Sequence, residues 1–422
     1  MHAPPSPPSC PFELFDFIRT GTPIQPSKDP WYMDEPAFLH SAAPGTVFRV
    51  RTAPSNLTAV VGNASAAFNI LYRTTDSHYH PTWAVTTVFL PTKFANGPEK
   101  INLLSYQIPY DSADVDVSPS YSMYQGIIGT TDVGIALGLG WAVAVPDYES
   151  VLASFTAGVV SGHAVLDGVR AVLNLVGSCE EIFRMKSPDI TYALSGYSGG
   201  ALASEWAAEL QVQYAPEMLF AGAALGGLTP NVTRVVQTVD GAAAAPLIPQ
   251  WLVGLTSQFP SARTYVLSRL KNTGVYNATT FLSVQTDPTA DQYFVNQKVF
   301  ENYFIGGAAD VFPSPIIQNI VRTDGIMGYH GVPQMPIFAY KAIQDEVSPI
   351  ADTDVLVERY CSMGTNIWYQ RNTIGGHYEE MVNGDPGAFA FLESIFKGTY
   401  DLTKGCKIEN VTIGSDLSLA PY

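Results

Sequence analysis

The sequence predicts an α/β fold, in which strands and helices alternate and most strands pair in parallel. The chain has 422 residues, which is long enough for a large core. Hydrophobic residues make up 46 % of it and charged residues 14 %, against about 25 % charged in an average soluble protein. From about residue 100 to residue 215, apolar β-rich runs alternate with segments of helical spacing. This alternation predicts parallel βαβ units.

The predicted elements follow the chain in a regular order. Between Thr46 and Pro91, short runs alternate apolar and polar residues, which predicts antiparallel strands at the start of the sheet. Buried strands are then predicted for INLLSYQIPY, WAVAVPDY and DITYALS, and helices for YSMYQGIIGTTDVGIALGLG, HAVLDGVRAVLNLVG and ALASEWAAELQVQYA. Two further strands, QMPIFAYKAI and TNIWYQRN, precede a C-terminal helix, GAFAFLESIF.

The alternation lapses between Pro230 and Phe312, where short amphipathic helices are predicted and no strong strand run occurs. Helices inserted between late strands of such a sheet cover the carboxyl ends of the strands, where ligands bind. We therefore expect a core made of two parts, residues 1–229 and 313–422, with a helical cap over residues 230–312.

Charge and hydropathy exclude several classes of protein. With 22 basic and 38 acidic residues the net charge is −16, which argues against nucleic-acid binding and against anionic membranes, but not against a neutral lipid interface. The longest apolar run, Val133 to Val145, contains three glycines and is too short to span a bilayer. We therefore predict no transmembrane segment and no nucleic-acid partner.

Sequons for N-glycosylation and the cysteines indicate an oxidising, extracellular compartment. The five sequons begin at Asn56, Asn63, Asn231, Asn277 and Asn410. The first ten residues show no apolar h-region of a signal peptide, so we expect this chain to be a mature, secreted form.

The four cysteines, Cys10, Cys179, Cys361 and Cys406, lie too far apart for a zinc cage, and no metal site is predicted. Two disulfides suit a secreted protein better. Three pairings are open. Local closure favours Cys361–Cys406, which leaves Cys10–Cys179 for the Pro-rich N-terminus.

The segment Gly196-Tyr197-Ser198-Gly199-Gly200 matches Gly-x-Ser-x-Gly, a sharp strand-to-helix turn that exposes a nucleophilic serine. The flanking glycines make room where a side chain would clash. The pentapeptide alone is a weak signal. Its context strengthens it, because an apolar β-rich run precedes the turn and a good helix former follows.

A serine hydroxyl needs a base, and in α/β-hydrolases the chain order is serine, acid, histidine. Only His330 and His377 follow Ser198. His330 precedes the strand QMPIFAYKAI, so no acid placed after that strand could come before it. His377 follows the strand TNIWYQRN on a glycine-containing loop, and it is the predicted base.

The predicted orienting acid is Asp345, which directly follows the strand IFAYKAI. Glu346 is the alternative, although in an extended chain it points to the opposite side. Asp352 and Asp354 stand at the start of the next predicted helix, where we expect them to act as caps. The sequence thus predicts Ser198, Asp345 and His377 as a triad.

An oxyanion hole needs two preorganised donors. The backbone N–H of Gly199, after the nucleophile, is one. The loop after INLLSYQIPY supplies the other, and there the backbone N–H of Asp111 is the predicted donor. Alternatively, Asp111 only caps a turn.

Several motifs in the right order resemble the fungal secretory lipases of the Candida antarctica lipase A type. They are GYSGG in its strand–helix turn, YRTTDS, VPDYES, GHAVLDGVRA and DEVSP, and the resemblance runs from about Asp34 to Leu402. It implies an α/β-hydrolase with a large helical lid, no cofactor, the same triad, and Asp111 and Gly199 in the oxyanion hole, the Asp111 side chain being able to hold a proton. Candida antarctica lipase A has a cysteine shortly after the oxyanion aspartate, whereas this sequence has Ala113 to Val117 there, so one disulfide, and the tie between that loop and the lid, is expected to differ.

The resemblance implies a secreted carboxylic ester hydrolase whose substrate is an acylglycerol or another lipophilic ester. It also covers esterases that deacetylate fungal secondary metabolites, such as the trichothecene C-3 esterases. An acyltransferase would share every catalytic residue, whereas an intact triad argues against a non-catalytic binding protein.

The cap bears on the choice between these substrates. Six of its apolar residues need a surface to cover, whether the acyl pocket, a lipid interface or the core itself: Leu247, Ile248, Trp251, Leu252, Leu255 and Phe259. A lid of this size favours a lipase with a preference for medium or long acyl chains. A cap closed over a compact alcohol would leave room for acetyl only.

Overall fold

The structure, a computed structural model, describes residues 21–97, 99–178, 188–401 and 405–414. These residues form one ten-stranded sheet in the spatial order β1-β2-β3-β5-β4-β6-β7-β8-β9-β10. The strands are β1 (Val47–Thr52), β2 (Ala64–Thr75), β3 (Pro81–Pro91), β4 (Lys100–Gln107), β5 (Ala142–Pro146), β6 (Asp189–Tyr197), β7 (Ala223–Gly226), β8 (Ile337–Ala342), β9 (Ile367–Asn372) and β10 (Cys406–Val411). The first three strands and the β3–β5 pair are antiparallel, and the other pairs are parallel. The predicted α/β class is confirmed.

Helices cover both faces of the sheet. They are α1 (Pro30–Met33), α2 (Leu57–Val61), α3 (Pro119–Ser122), α4 (Thr130–Gly138), α5 (Gly158–Ser178), α6 (Gly199–Tyr214), α7 (Val232–Val239), α8 (Leu247–Ser257), α9 (Pro260–Arg269), α10 (Ala278–Leu282), α11 (Val299–Tyr303), α12 (Pro315–Asp324), α13 (Ile350–Ser362) and α14 (His377–Phe396). Helices α5 and α6 pack side by side, and α14 packs on β7 and β8. Strands β5 and β8 are covered on both faces, and all of their residues are buried.

Close contact between α5 and α6 depends on glycine. A Cβ built on Gly162 would lie 2.8 Å from the carbonyl carbon of Trp206, and one built on Gly158 would overlap the Trp206 ring. This contact holds α6, and with it the turn at the end of β6, firmly against the core.

Residues 227–336 lie between β7 and β8 and contain helices α7 to α12, which we call the cap helices. Helix α7 buries Val232, Val235, Val236 and Val239, a spacing that places all four on one helical face. The side chain of Asn231 caps this helix by accepting hydrogen bonds from the backbone N–H groups of its first turn. The helical run extends past the expected end at Phe312, as far as Asp324.

The structure differs from the sequence-based elements at three places. The helix predicted for YSMYQGIIGTTDVGIALGLG is interrupted, because Gly126 and Gly129 have φ of 66° and 86°. Strands β7 and β10 were not predicted, since β7 has four residues and β10 is largely exposed. Pro349, rather than an aspartate, is the N-cap of α13.

Two further features concern the compartment and the membrane. Cys361 forms a disulfide with Cys406, which joins α13 to β10, whereas Cys10 and Cys179 lie outside the described residues. Within the part of the chain that the structure describes, one stretch, Gly158–Val176 of α5, has the length and composition of a membrane span, but 83 % of it is buried inside the fold, as is usual for a core helix.

Candidate active site

Ser198 is the single residue between the end of β6 and the start of α6, and its φ and ψ are 52° and −120°. This conformation is strained for a residue with a Cβ. The glycines around it are required by close approach: a Cβ on Gly196 would lie 2.5 Å from the carbonyl carbon of Gly200, and one on Gly200 would lie 1.9 Å from the carbonyl oxygen of Gln107. The turn therefore presents the Ser198 hydroxyl at the carboxyl end of the sheet.

The structure brings Ser198, His377 and Asp345 together. The Nε2 atom of His377 lies 2.8 Å from Ser198 Oγ, and its Nδ1 atom lies 2.7 Å from Asp345 Oδ2. Asp345 follows β8, and His377 is the first residue of α14, after β9. Because β6, β8 and β9 run in parallel, the loops after their carboxyl ends meet over one edge of the sheet.

Asp345 is held by more donors than the histidine alone. Its Oδ1 atom accepts hydrogen bonds from the backbone N–H groups of Val347 and Ser348, at 2.9 and 2.7 Å, and its Oδ2 atom accepts one from Lys341 Nζ at 2.7 Å. Burial raises the pKa of Asp345, but the hydrogen bond from His377 and the charge of Lys341 outweigh it and hold that pKa well below its usual range. The carboxylate is therefore ionised at neutral pH.

Two neighbours hold the backbone of His377. Its N–H donates to Glu346 Oε2 at 2.7 Å, and its carbonyl accepts from the hydroxyl of Tyr197 at 2.6 Å. The expectation that Glu346 points away from this histidine is wrong, because the loop after β8 turns at Asp345 instead of continuing as an extended chain. Glu346 contacts the backbone of His377, whereas Asp345 contacts the imidazole ring.

Asp111 lies across from the nucleophile. Its φ is 44°, and its Oδ1 atom would be 1.8 Å from a Cβ on Gly199, so its carboxyl group rests against the Gly199 backbone. Among the described residues this Oδ1 has no hydrogen-bond partner. Burial, with a contribution from the charge of Asp291, raises the pKa of Asp111 to about 7. As the first residue of α6, Gly199 has a backbone N–H without a partner inside that helix.

A narrow, mostly apolar cavity of about 30 Å³ adjoins Ser198. Core residues and cap residues both line it: Asp111, Phe155, Thr156, Ser198, Gly199, Leu202, Thr229, Val232, Val235, Val236, Leu247, Trp251 and Val347. Of the six apolar cap residues that the sequence singled out, Leu247 and Trp251 line this cavity, Ile248, Leu252 and Leu255 are fully buried, and Phe259 is half-buried against the core.

Helix α8 is attached to the core at both of its ends by buried hydrogen bonds. Near its start, Gln250 accepts a hydrogen bond from the backbone N–H of Ala113, in the loop that carries Asp111, and donates to Asp291. Just past its end, Gln258 accepts from the backbone N–H of Ser77 and donates to Ser154 Oγ. The loop that carries Asp111 is thus tied to the cap by a glutamine.

Other predicted residues have structural roles. Asn56, Asn63 and Asn410 are exposed, whereas Asn231 and Asn277 are half-buried N-caps of α7 and α10. No cluster of three or more metal-ligating side chains occurs within the described ranges. Asp354 does not cap α13 but pairs with Arg371 at 3.1 Å.

Sequence reasoning missed Lys341 and Gln250. A single lysine inside the apolar strand IFAYKA was a usable signal, because a buried charge requires a partner. Gln250 carried no such signal, since its role depends on how the cap sits over the loop after β4.

The chain is similar to known lipases and esterases. The family model described as Secretory lipase matches residues 124–403. The chain is 48 % identical over 404 residues to a trichothecene C-3 esterase from Fusarium sporotrichioides, with 92 % of this chain and 88 % of that protein covered. It is 33 % identical over 416 residues to Lipase A of Arthroderma benhamiae, with 93 % and 84 % covered.

Among solved structures, Candida antarctica lipase A superposes with a TM-score of 0.80 at 26 % identity, covering 94 % of this chain and 91 % of that one. Its closed state gives a TM-score of 0.78 at 27 % identity, with 94 % and 93 % covered. The chain therefore belongs to the secretory lipase family, has an α/β-hydrolase fold and is a carboxylic ester hydrolase.

Proposed function

We propose that the chain hydrolyses esters through a covalent acyl-enzyme on Ser198. The observation that carries this proposal is the continuous hydrogen-bonded line from Ser198 Oγ through both ring nitrogens of His377 to Asp345 Oδ2, with distances of 2.8 and 2.7 Å. Nucleophile, base and orienting acid lie within hydrogen-bonding reach of one another, which is the arrangement that serine hydrolysis requires.

The reaction follows from these contacts. Ser198 Oγ attacks the ester carbonyl carbon while His377 Nε2 takes the hydroxyl proton, and Asp345 stabilises the imidazolium that forms. The tetrahedral intermediate collapses when His377 returns the proton to the departing alcohol, leaving an acyl group on Ser198. Water, deprotonated by the same histidine, then releases the acid and restores the serine.

Asp111 and Gly199 are the proposed oxyanion hole. This proposal is supported by two observations: Gly199 directly follows Ser198 at the start of α6, and Asp111, with φ 44°, rests its carboxyl group against Gly199. Because its pKa is about 7, the Asp111 carboxyl is largely neutral below that pH, and a proton on it would add a third donor.

Substrates with a short acyl group are favoured over long-chain esters. The cavity beside Ser198 is small, about 30 Å³, and mostly apolar, which suits a short acyl group better than a long chain. Its wall α8 is attached to the core at both ends, so it does not widen by a rigid swing of that helix alone. The relative at 48 % identity is named a trichothecene C-3 esterase, and we propose an acetylated compact alcohol of that kind as the substrate.

We also propose that the protein acts outside the cell. The family is described as secretory, the Cys361–Cys406 disulfide suits an oxidising compartment, and the sequons at Asn56, Asn63 and Asn410 stand on exposed residues. A decrease in mass of the protein recovered from culture medium, after treatment with an N-glycosidase, would support this placement.

The covalent step is tested by labelling. A fluorophosphonate should form one stoichiometric adduct, found by mass spectrometry on the peptide that contains Ser198, and should abolish esterase activity in step with labelling. An adduct on another residue with full loss of activity would contradict the assignment.

The substrate is tested separately, with p-nitrophenyl esters from acetate to palmitate, with and without an emulsified interface. We expect acetate to exceed octanoate by more than tenfold in kcat/KM. A preference for octanoate would instead favour a lipase, and faster product release with an added alcohol acceptor would identify acyl transfer.

A further inference from the structure

Lys341 is a charged residue placed entirely inside the core, beside the proposed triad. All six residues of β8 are buried, and the Lys341 side chain has no exposed surface. Its Nζ atom donates to Asp345 Oδ2 at 2.7 Å and to the carbonyl oxygen of Leu228 at 2.8 Å. Burying an unpaired ammonium is very unfavourable, so the lysine and the aspartate form a mutually neutralising pair.

The Lys341–Asp345 pair changes how strongly Asp345 can stabilise a positive charge on His377. The Oδ2 atom of Asp345 is shared by two donors, Lys341 Nζ and His377 Nδ1, each at 2.7 Å. In a serine hydrolase the negative charge of the acid stabilises the imidazolium that forms during attack. Burial lowers the pKa of Lys341, but its pairing with Asp345 opposes that effect. The positive charge of Lys341 on the same oxygen offsets part of that stabilisation and leaves the hydrogen bond that orients the ring.

We propose that Lys341 is a positioning residue for the hydrolysis assigned above: its ammonium fixes the Asp345 carboxylate, and its charge acts through that carboxylate on the proton transfer between Ser198 and His377. This inference rests on the proposed function of the triad. It gives the enzyme a working range that extends to more acidic pH than the Asp345–His377 pair alone would allow.

Other titratable groups face this pair from each element packed around it. Tyr197 approaches from the end of β6, Glu346 from the loop after β8, Tyr378 and Glu380 from α14, and Asp352 and Asp354 from α13. None of these is a cation. Burial raises the pKa of Glu380 to about 7, so this carboxyl titrates within the range of interest and must be controlled for.

The test is the pH dependence of kcat/KM on a soluble short-chain ester, for the full chain and for Lys341→Met and Lys341→Gln. Without the ammonium, we expect the acid limb of both variants to move up by about one to two pH units. Lys341→Gln keeps an amide donor, so its kcat on the plateau should fall less than that of Lys341→Met. Should one variant fail to fold, the other decides.

Two controls accompany these variants. Arg371→Gln removes a positive charge at the position of β9 that pairs in register with Lys341, but Arg371 contacts Asp354 instead of Asp345, so its acid limb should stay in place. The shift should also persist when Glu380 is replaced by glutamine in both the parent and the lysine variants. A fall in the plateau of both lysine variants without movement of the acid limb would reduce Lys341 to a structural role and overturn the proposal.

A second readout is independent of turnover. In the Ser198→Ala protein, NMR titration of the His377 imidazole should show a midpoint that rises when Lys341 is also replaced. If the parent chain proves to have no esterase activity, the proposed function fails, while this comparison still decides whether the lysine charge acts on the histidine. An unchanged midpoint overturns the inference even in an active enzyme.

Discussion

The core and the cap contribute opposite kinds of side chain to the active site. On the core side, Asp345 accepts hydrogen bonds from two backbone N–H groups, a lysine and the histidine, and the histidine backbone is held at both its N–H and its carbonyl. On the cap side, α7 and α8 present valines, Leu247 and Trp251 to the cavity. Directional bonds fix the reacting groups to a fraction of an ångström, whereas apolar packing fixes only a shape.

This difference separates two kinds of change. Substitutions on the core side should remove catalysis from every ester, because they displace groups that act in each turnover. Substitutions on the cap side should change which ester reacts. Gln250 and Asp111 lie where the core side and the cap side of the active site meet.

Ser198→Ala should cause the largest loss. Without the nucleophile, kcat should fall on the order of 10⁶-fold. Far-UV circular dichroism and the melting temperature should stay at the parent values, since the small alanine side chain fits the same turn. Activity within tenfold of the parent, for any ester, would show that the core side does not carry the chemistry.

Asp345→Asn should rank next, with a loss in kcat on the order of 10⁴-fold, because the amide cannot hold His377 in the required tautomer. Its matched control is Glu346→Gln, which alters a contact with the backbone of the same histidine and should cost less than about tenfold. Steady-state kinetics of the two proteins ranks them. A reversed order would assign the acid to Glu346.

Gln250→Leu tests the junction between core and cap. The substitution leaves the buried N–H of Ala113 without an acceptor and frees the loop that carries Asp111, so kcat/KM should fall about 10- to 100-fold. Gln285→Leu removes a glutamine whose side chain accepts a hydrogen bond from Arg263 within the cap, and it should retain full activity. Equal losses in both variants would mean that cap stability, rather than the junction, is responsible.

We expect ionisation of the Asp111 carboxyl to cause the alkaline limb of the pH profile of kcat/KM. Its carboxyl, with a pKa of about 7, is neutral below that pH and negative above it, and a negative charge beside the developing oxyanion opposes the transition state. The rate should therefore fall about tenfold per pH unit above 7. Asp111→Asn should move this limb to higher pH, and Asp291→Asn, which removes one cause of the raised pKa, should move it to lower pH. A limb that stays fixed in both variants contradicts the assignment.

The smallest effect on activity is expected for the disulfide. Replacing Cys361 and Cys406 together by alanine removes a link that closes a loop of 45 residues and should lower the free energy of unfolding by about 3–4 kcal/mol. Because the link joins α13 to the edge strand β10, kcat/KM at 25 °C should be unchanged. Chemical denaturation and kinetics on the same preparation distinguish the two quantities.

Much of the fold and of the site could be predicted from the residues, for physical reasons. The order of strands and helices follows from hydrophobic periodicity, and the placement of Ser198, Asp345 and His377 follows from the strand that each one succeeds. Periodicity does not carry the details of loops. Glu346 was misplaced because a local turn overrode the extended geometry, and β7 was too short to show a period.

The contacts that cross between distant segments could not be predicted. Gln250 meets Ala113 only after the cap has packed on the core, and 136 intervening residues give no local sign of that contact. The position of Lys341 inside an apolar strand indicates that it needs a partner, but which residue serves as that partner depends on the turn after β8. In both cases the missing information is the tertiary arrangement that brings the two segments together.

The position of the cap within the chain also has a consequence for biosynthesis. Strands β7 and β8 are neighbours in the sheet, with Ala223 opposite Ile337, yet residues 227–336 are made between them. Until those residues have emerged from the ribosome, β7 presents an unpaired edge, which exposes the nascent chain to aggregation and to capture by chaperones. Ser198 is already in place at that stage, whereas His377 has not been synthesised. The nascent chain therefore lacks the base of the proposed triad, and stays inactive, until the last strands have been made.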